Sequence, residues 1–384
     1  MKKLSLWLST ILFTISLTFS PLYSENCQED TLSGPTPLGL TDILTDYLPL
    51  NQISGGPVRK ITICDQASWE RKRPSIVRRA HALLGEAPEV RGELNPRVLG
   101  EIKRTGYLER NVRFNSGTGD EINGYLLLPE AASPCSPGPA ILAMHGTIEP
   151  GAKVTVGIEQ ARENRYYGNE LARRGYVVLA IDVISAGERI YPGAEAFETD
   201  EFDRKYPRWS AMGKMLYDHK RAVDYLCSLA EVDSSRIGVI GHSLGGYNAF
   251  FHQAFDERVK AAVSSCGFVS MGSSMYPFRF ARDEWFVHFP ILRDYLRAGV
   301  VPCDMHEVMA LCAPRPLFNY SARKDHIFPD FWAVDAPLRQ VAKLYLILGA
   351  EERFVRVFGN GDHDFPPDVR EKAYLWLDKW LIKN

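Results

Sequence analysis

The sequence predicts an α/β fold built on a mostly parallel eight-stranded sheet with helices on both faces. Two observations carry this. From residue 107 onward, short apolar runs alternate with amphipathic stretches of helical period. Those runs are apolar throughout rather than at every second residue, as strands buried on both faces require.

The first two strands are "YLERNVRFN" (107–115) and "EINGYLLLP" (121–129), joined by the Gly/Asp-rich "SGTGD" as a hairpin. "PAILAMHG" (139–146) is a buried strand, and 157–174 reads as a helix stopped by Gly175. "YVVLAIDV" is the fourth strand and 211–230 a long amphipathic helix. "RIGVIGHS" and "VKAAVSSCG" are strands flanking the helix "LGGYNAFFHQAF". Residues 275–311 form a helical, loop-rich insertion before the penultimate strand, "PRPLFNYSA". A helix near 333–350, the strand "RFVRVFGNG" and a closing helix over 368–381 complete the pattern.

Ahead of this lie two other regions. Residues 1–24 have two lysines, an apolar stretch and then Pro21 and small residues, the layout of a cleaved signal peptide rather than a stable membrane span, and so of an exported, periplasmic or secreted chain. Residues 25–105 are rich in turn residues around one helix, "SIVRRAHALLG", and read as an extension packing on a catalytic unit of 106–384. A formal net charge of −2 with no basic block excludes a nucleic-acid binder. All seven cysteines follow the signal segment, so export permits disulfides. The odd count leaves at least one thiol over, and Cys303 and Cys312 are a candidate pair. No pair has zinc-finger spacing, so no metal is expected.

"GHSLG" (241–245) sits between a strand and a helix and matches G-x-S-x-G. A serine there occupies a strained turn, so the positions two residues away must be tiny. Ser243 is the candidate nucleophile, and helix capping is the plain alternative. A serine needs a base and an orienting acid, which follow it in the order acid, then histidine. His363 lies directly after the last strand in "GNGDHDFPP", whereas His252 falls inside a helix and His288 and His306 fall in the insertion. Asp325 follows the penultimate strand, with Asp330 as the fallback. Asp362 and Asp364 read as solvated turn residues, and His326 as a loop residue. The oxyanion donors are expected to be the backbone N–H groups of Leu244 and Thr147. Acyl transfer of this kind needs no cofactor.

The stretches "LAMHG", "AIDVISAGER", "RIGVIGHSLGGYNAF", "CAPRPLFNYSARKDHIFP" and "GDHDFP" together resemble the α/β-hydrolase superfamily. Within it the chain is most similar to secreted dienelactone-hydrolase-like and acetyl-xylan-esterase-like bacterial hydrolases. The resemblance implies an exported serine esterase with Ser243, Asp325 and His363 as its triad. The substrate would be a small-molecule or carbohydrate ester, acetyl esters of carbohydrates being the family analogy. Dienelactone hydrolases proper use a cysteine nucleophile, and this chain has Ser243. Glucuronoyl esterases usually carry an arginine after the nucleophile. Leu244 ranks them lower. A serine peptidase or amidase is the alternative, and a non-catalytic binding protein of the same fold a third reading.

Four further features have two readings each. His145 orients the loop after its strand, or is a plain buried histidine. Arg221 reads as an ion-pair partner of Asp218 and Asp224 rather than a substrate ligand. Asp182, Glu188 and Arg189 brace a loop or touch substrate. The aromatic run "MYPFRFARDEWFVHFP" is core or pocket lining.

Overall fold

The structure is a computed structural model that describes residues 29–32, 42–49, 58–89, 92–160 and 162–382. The expected signal segment lies outside the described residues. No described helix is long and apolar enough to cross a membrane.

A small antiparallel sheet comes first, from β1 (Glu29–Leu32), β2 (Thr45–Pro49) and β3 (Val58–Thr62), in the order β1-β3-β2. Helix α1 (Gln66–Leu84) follows, its start fixed by Asp65, whose carboxylate accepts from Ser68 N–H at 2.8 Å while Ser68 Oγ returns to the backbone. It packs on the main body through α5 (Ala211–Ser228) and α8 (Met305–Ala310). Between α1 and α8, Arg79 makes a two-pronged pair with buried Glu307 at 2.7 and 3.1 Å.

The main sheet has nine strands: β4 (Arg97–Arg104), β5 (Tyr107–Asn115), β6 (Glu121–Pro129), β7 (Gly138–Met144), β8 (Val177–Ile181), β9 (Val232–His242), β10 (Val259–Ser265), β11 (Leu317–Ala322) and β12 (Phe354–Gly359). The order is β12-β11-β10-β9-β7-β8-β6-β5-β4. Strands from β12 to β8 run parallel, and β6, β5 and β4 alternate against them. The hairpin strands have the expected bounds. The ninth strand, β4, was not expected, because all eight of its residues are exposed and no alternation marks it. A strand with no buried face carries no hydrophobic period to read.

The remaining helices are α2 (Ala152–Thr155), α3 (Tyr167–Arg173), α4 (Asp200–Lys205), α6 (Leu244–Phe255), α7 (Leu292–Arg297), α9 (Trp332–Ile347) and α10 (Pro367–Leu381). Of the helix expected over 157–174 only α3 forms, and the described residues from 157 to 166 are not helical; the short α2 lies ahead of the expected span. Gly157 at φ 74° and Asn164 at φ 64° put left-handed backbone between α2 and α3, which no right-handed helix accommodates.

The central strands of the sheet are buried on both faces, as their composition requires. Val112, Leu126, Leu142 and Leu179 point into one apolar layer, and Leu127, Ile141, Val178 and Ile240 into the other. Strand order reverses across the sheet at β7 and β9, which are parallel neighbours although β8 lies between them in sequence. Such a reversal opens a crevice at the carboxyl ends of the strands. The loops after β7 and β9 leave from there, and the loops after β11 and β12 leave the same edge.

The cysteine pairing expected between 303 and 312 does not form, and both are free. Helix α8 stands between them along the chain. The Cys312 thiol donates to the Phe250 carbonyl at 3.3 Å, and Cys303 lies 4.0 Å from the Asp304 carbonyl. Cys64 is disulfide-bonded.

Candidate active site

β9 ends at His242, and the next residue has φ 58° and ψ −119° before α6 begins at Leu244. Ser243 thus holds a backbone conformation that L-residues avoid. The glycines around it are required by contact. A Cβ on Gly241 would lie 2.2 Å from the Gly245 carbonyl oxygen, and one on Gly245 would lie 2.0 Å from that of Met144. One on Gly246 would meet the Ser265 carbonyl oxygen at 2.7 Å. β9, β7 and β10 therefore approach α6 more closely than any side chain permits. Ser243 N–H donates to Ser265 on β10 at 2.8 Å, locking the turn.

The loop after β7 lies against this turn. A Cβ on Gly146 would sit 3.6 Å from that of Ser243. His145 fixes the loop: its Nδ1 lies 2.7 Å from the Gly146 carbonyl oxygen, and its Nε2 accepts from Val183 N–H at 3.2 Å. Burial holds its pKa below the usual imidazole range, which keeps Nε2 an acceptor. Asp182, buried at the end of β8, accepts from Ala152 N–H at 2.8 Å and Glu188 N–H at 3.0 Å. Arg189 donates to the Asp182 carbonyl and pairs with Asp218 at 2.9 Å. These residues brace loops. Asp218 is therefore no partner of Arg221: it is held by Arg189 and by Lys214 at 2.7 Å, and Arg221 pairs with Asp224 at 3.0 Å.

His363 and Asp325 meet, although 38 residues apart. His363 Nδ1 lies 2.8 Å from Asp325 Oδ2, with both side chains almost fully buried. The other oxygen of Asp325 accepts from Ile327 N–H at 2.8 Å and Phe328 N–H at 2.9 Å. Both carboxylate oxygens are thus occupied, and the imidazole is aimed with Nε2 away from the acid. Asp330, the fallback, is engaged elsewhere, accepting from Ser274 Oγ and Met275 N–H at 2.8 Å each.

Asp362 and Asp364 are not merely solvated. Asp362 accepts from His363 N–H and from the His326 ring, both at 2.7 Å, tying the β12 loop to the β11 loop. Asp364 pairs with Arg165 at 2.5 Å and Asn164 at 2.7 Å, tying it to the segment before α3. These clamps had no signal in the sequence, because they join loops close only in the folded chain. Cys266, at φ 45° after β10, places its thiol beside Asp325 and His363, the three donor atoms lying within 4.8 Å of one another. Burial, with the Asp325 charge, pushes that thiol well up, so it stays protonated.

Two cavities of about 280 and 260 Å³ adjoin this cluster, and Ser243, His363 and Thr147 line both. The first is bounded by Gly146, Tyr167 and His242. The second is bounded by Tyr247, Phe280, Trp285, Phe286 and Phe328, so part of the aromatic run lines a pocket. Leu244 is the first residue of α6, where a helix leaves its N–H groups without intrahelical partners.

Residues 122–278 match the dienelactone hydrolase family. The match spans β6 to the aromatic run. It includes Ser243 and stops short of Asp325 and His363. "Putative hydrolase YtaP" of Bacillus subtilis (strain 168) is 26% identical over 78% of this chain and 96% of its own length. "Carbohydrate esterase MZ0003", from an unknown prokaryotic organism, is 24% identical over 72% of each. Among solved structures, a glucuronoyl esterase from Solibacter usitatus superposes with a TM-score of 0.65 at 20% identity, covering 90% of this chain and 98% of that one. The dienelactone hydrolase match and this superposition make the fold that of the α/β-hydrolases. Leu244 ranked glucuronoyl esterases low, yet one of them shares nearly the whole architecture.

Proposed function

We propose that the chain is an exported serine hydrolase of carboxylic esters, with carbohydrate esters as the substrate class suggested by its relatives' names. One observation carries the reading: the His363–Asp325 hydrogen bond lies at a cavity that Ser243 also lines, on a strained strand-to-helix turn. Ser243 Oγ attacks the ester carbonyl while His363 Nε2 takes its proton. Asp325 fixes the imidazole tautomer and stabilises the imidazolium. The backbone N–H groups of Leu244 and Thr147 receive the oxyanion. His363 then protonates the departing alcohol. Water attacks the acyl-enzyme by the same route and releases the acid.

Residues 1–24 serve as the signal peptide, 25–105 as an extension braced on the catalytic unit, and 106–384 as that unit, with the end of the extension, β4, joining the unit's sheet as its edge strand. A disulfide at Cys64 fits an oxidising compartment.

The test is fluorophosphonate modification of Ser243, with turnover of p-nitrophenyl acetate set against a peptide anilide. Wild type is expected to be labelled and to cleave the ester faster than the anilide, and Ser243→Ala to do neither. Faster anilide cleavage would favour a peptidase. Full turnover by the alanine variant would end the serine-hydrolase reading.

A further inference from the structure

The second cavity has an unusual electrostatic wall. Arg162, Arg279 and Arg282 line it together with Ser243 and His363. Among the described residues, none of the three guanidinium groups makes an ion pair or a hydrogen bond; Arg279 donates only through its backbone N–H, to the Tyr276 carbonyl at 3.1 Å. The two carboxylates whose charge reaches Arg279, Asp325 and Asp330, are committed elsewhere. Asp325 serves His363 and two backbone N–H groups, and Asp330 serves Ser274 and Met275. Asp283, next in sequence to Arg282, pairs with Arg293 at 3.0 Å instead. Burial holds Arg279 and Arg282 below the usual guanidinium range, and the Arg282 charge lowers Arg279 further, so the two cations are kept in the pocket at a cost.

The aromatic residues fix how these cations present themselves. Arg279 lies over the Phe328 ring at 5.4 Å and over Tyr276 at 5.7 Å, and Arg282 over Trp285 at 5.0 Å. Stacking occupies the face of a guanidinium and leaves its N–H edge available. An N–H edge with no protein acceptor, in a pocket contiguous with a nucleophile, matches a carboxylate on the substrate.

We propose that the second cavity is a subsite for a carboxylate carried by the ester substrate, held by Arg279 and Arg282 with Arg162 at the rim. The inference rests on the esterase reading and specifies its substrate class: esters with a free carboxylate on the acyl or the alcohol side.

Two matched pairs test it. Monomethyl adipate against methyl hexanoate places the charge on the acyl side. 4-Acetoxybenzoate against its methyl ester places it on the alcohol side. In one pair the wild type is expected to show a kcat/KM at least roughly tenfold higher for the anionic member, the scale of a charge-assisted hydrogen bond. That ratio is expected to collapse in Arg279→Gln/Arg282→Gln and to be partly restored in Arg279→Lys/Arg282→Lys. Free adipate should inhibit wild type more strongly than hexanamide, a readout independent of any variant's folding. Ser243-dependent hydrolysis of neutral esters with no charge preference, or a preference that survives the glutamine variant, would overturn the subsite and leave the hydrolase intact. Hydrolysis of no ester at all would overturn both.

Discussion

At the scale of single residues, the proposed chemistry depends on how Asp325 divides its two oxygens. One takes the His363 ring N–H and the other takes two backbone N–H groups from its own loop. An asparagine there can accept at only one atom, so either the loop or the imidazole loses its acceptor, and the ring can settle into the wrong tautomer. Asp325→Asn is expected to lower kcat/KM for a neutral ester by on the order of a thousandfold with little change in the unfolding midpoint. A loss under about tenfold would mean that Asp325 does not orient the base. This residue was legible in the sequence because an acid after the penultimate strand is a position, readable from strand order alone. Arg279 and Arg282 were not. Their significance lies in which carboxylates fail to reach them, and that exists only once the insertion is folded over the cleft.

At the scale of elements, the turn from β9 into α6 is the most constrained piece of backbone. Gly245 has a carbonyl oxygen of β7 where its side chain would begin, 2.0 Å away. Backbone in the middle of a buried sheet cannot move aside as a flexible side chain can. Gly245→Ala is therefore expected to destabilise the fold by roughly 3 kcal/mol or more, read as a fall in the urea midpoint, and to abolish turnover. A stable, active alanine variant would show that the close approach is not real. The need for tiny neighbours was visible in "GHSLGG" itself, since the motif encodes a local geometry. The edge strand β4 and the break between α2 and α3 were hidden for opposite reasons. The strand buries nothing and so leaves no hydrophobic period. The helical pattern over 157–174 was read through Gly157 and Asn164, which end it.

At the scale of the whole molecule, the core holds several neutral histidines. Burial pushes His252 and His288 down to about 3, and His219 and His242 well below the usual range. In the unfolded chain each would titrate near 6.5. Below that pH the unfolded state binds protons that the folded state does not, so the stability is complete above about 6.5 and falls with acidification. Each histidine contributes a slope of ~1.4 kcal/mol per pH unit until its folded pKa is reached. Asp203, pushed up to about 6 by burial, and Asp182, also raised by burial, act in the opposite sense, but the lowered histidines, with His81 and His145 among them, outnumber these two. The unfolding midpoint in urea is expected to drop between pH 7 and pH 5. A flat or rising profile would mean that these rings are protonated in the fold. The layered sheet that buries them was readable from the alternation of apolar runs, but which histidines it would enclose was not.

The central claim is that Ser243 is an activated nucleophile. The most direct measurement is to treat the intact enzyme with a fluorophosphonate, digest it and locate the added mass. One label per chain is expected, on the peptide containing Ser243, formed rapidly in wild type and slowly or not at all in His363→Ala. A label on another residue, or brisk ester hydrolysis by a chain that takes up no label at 243, would contradict it.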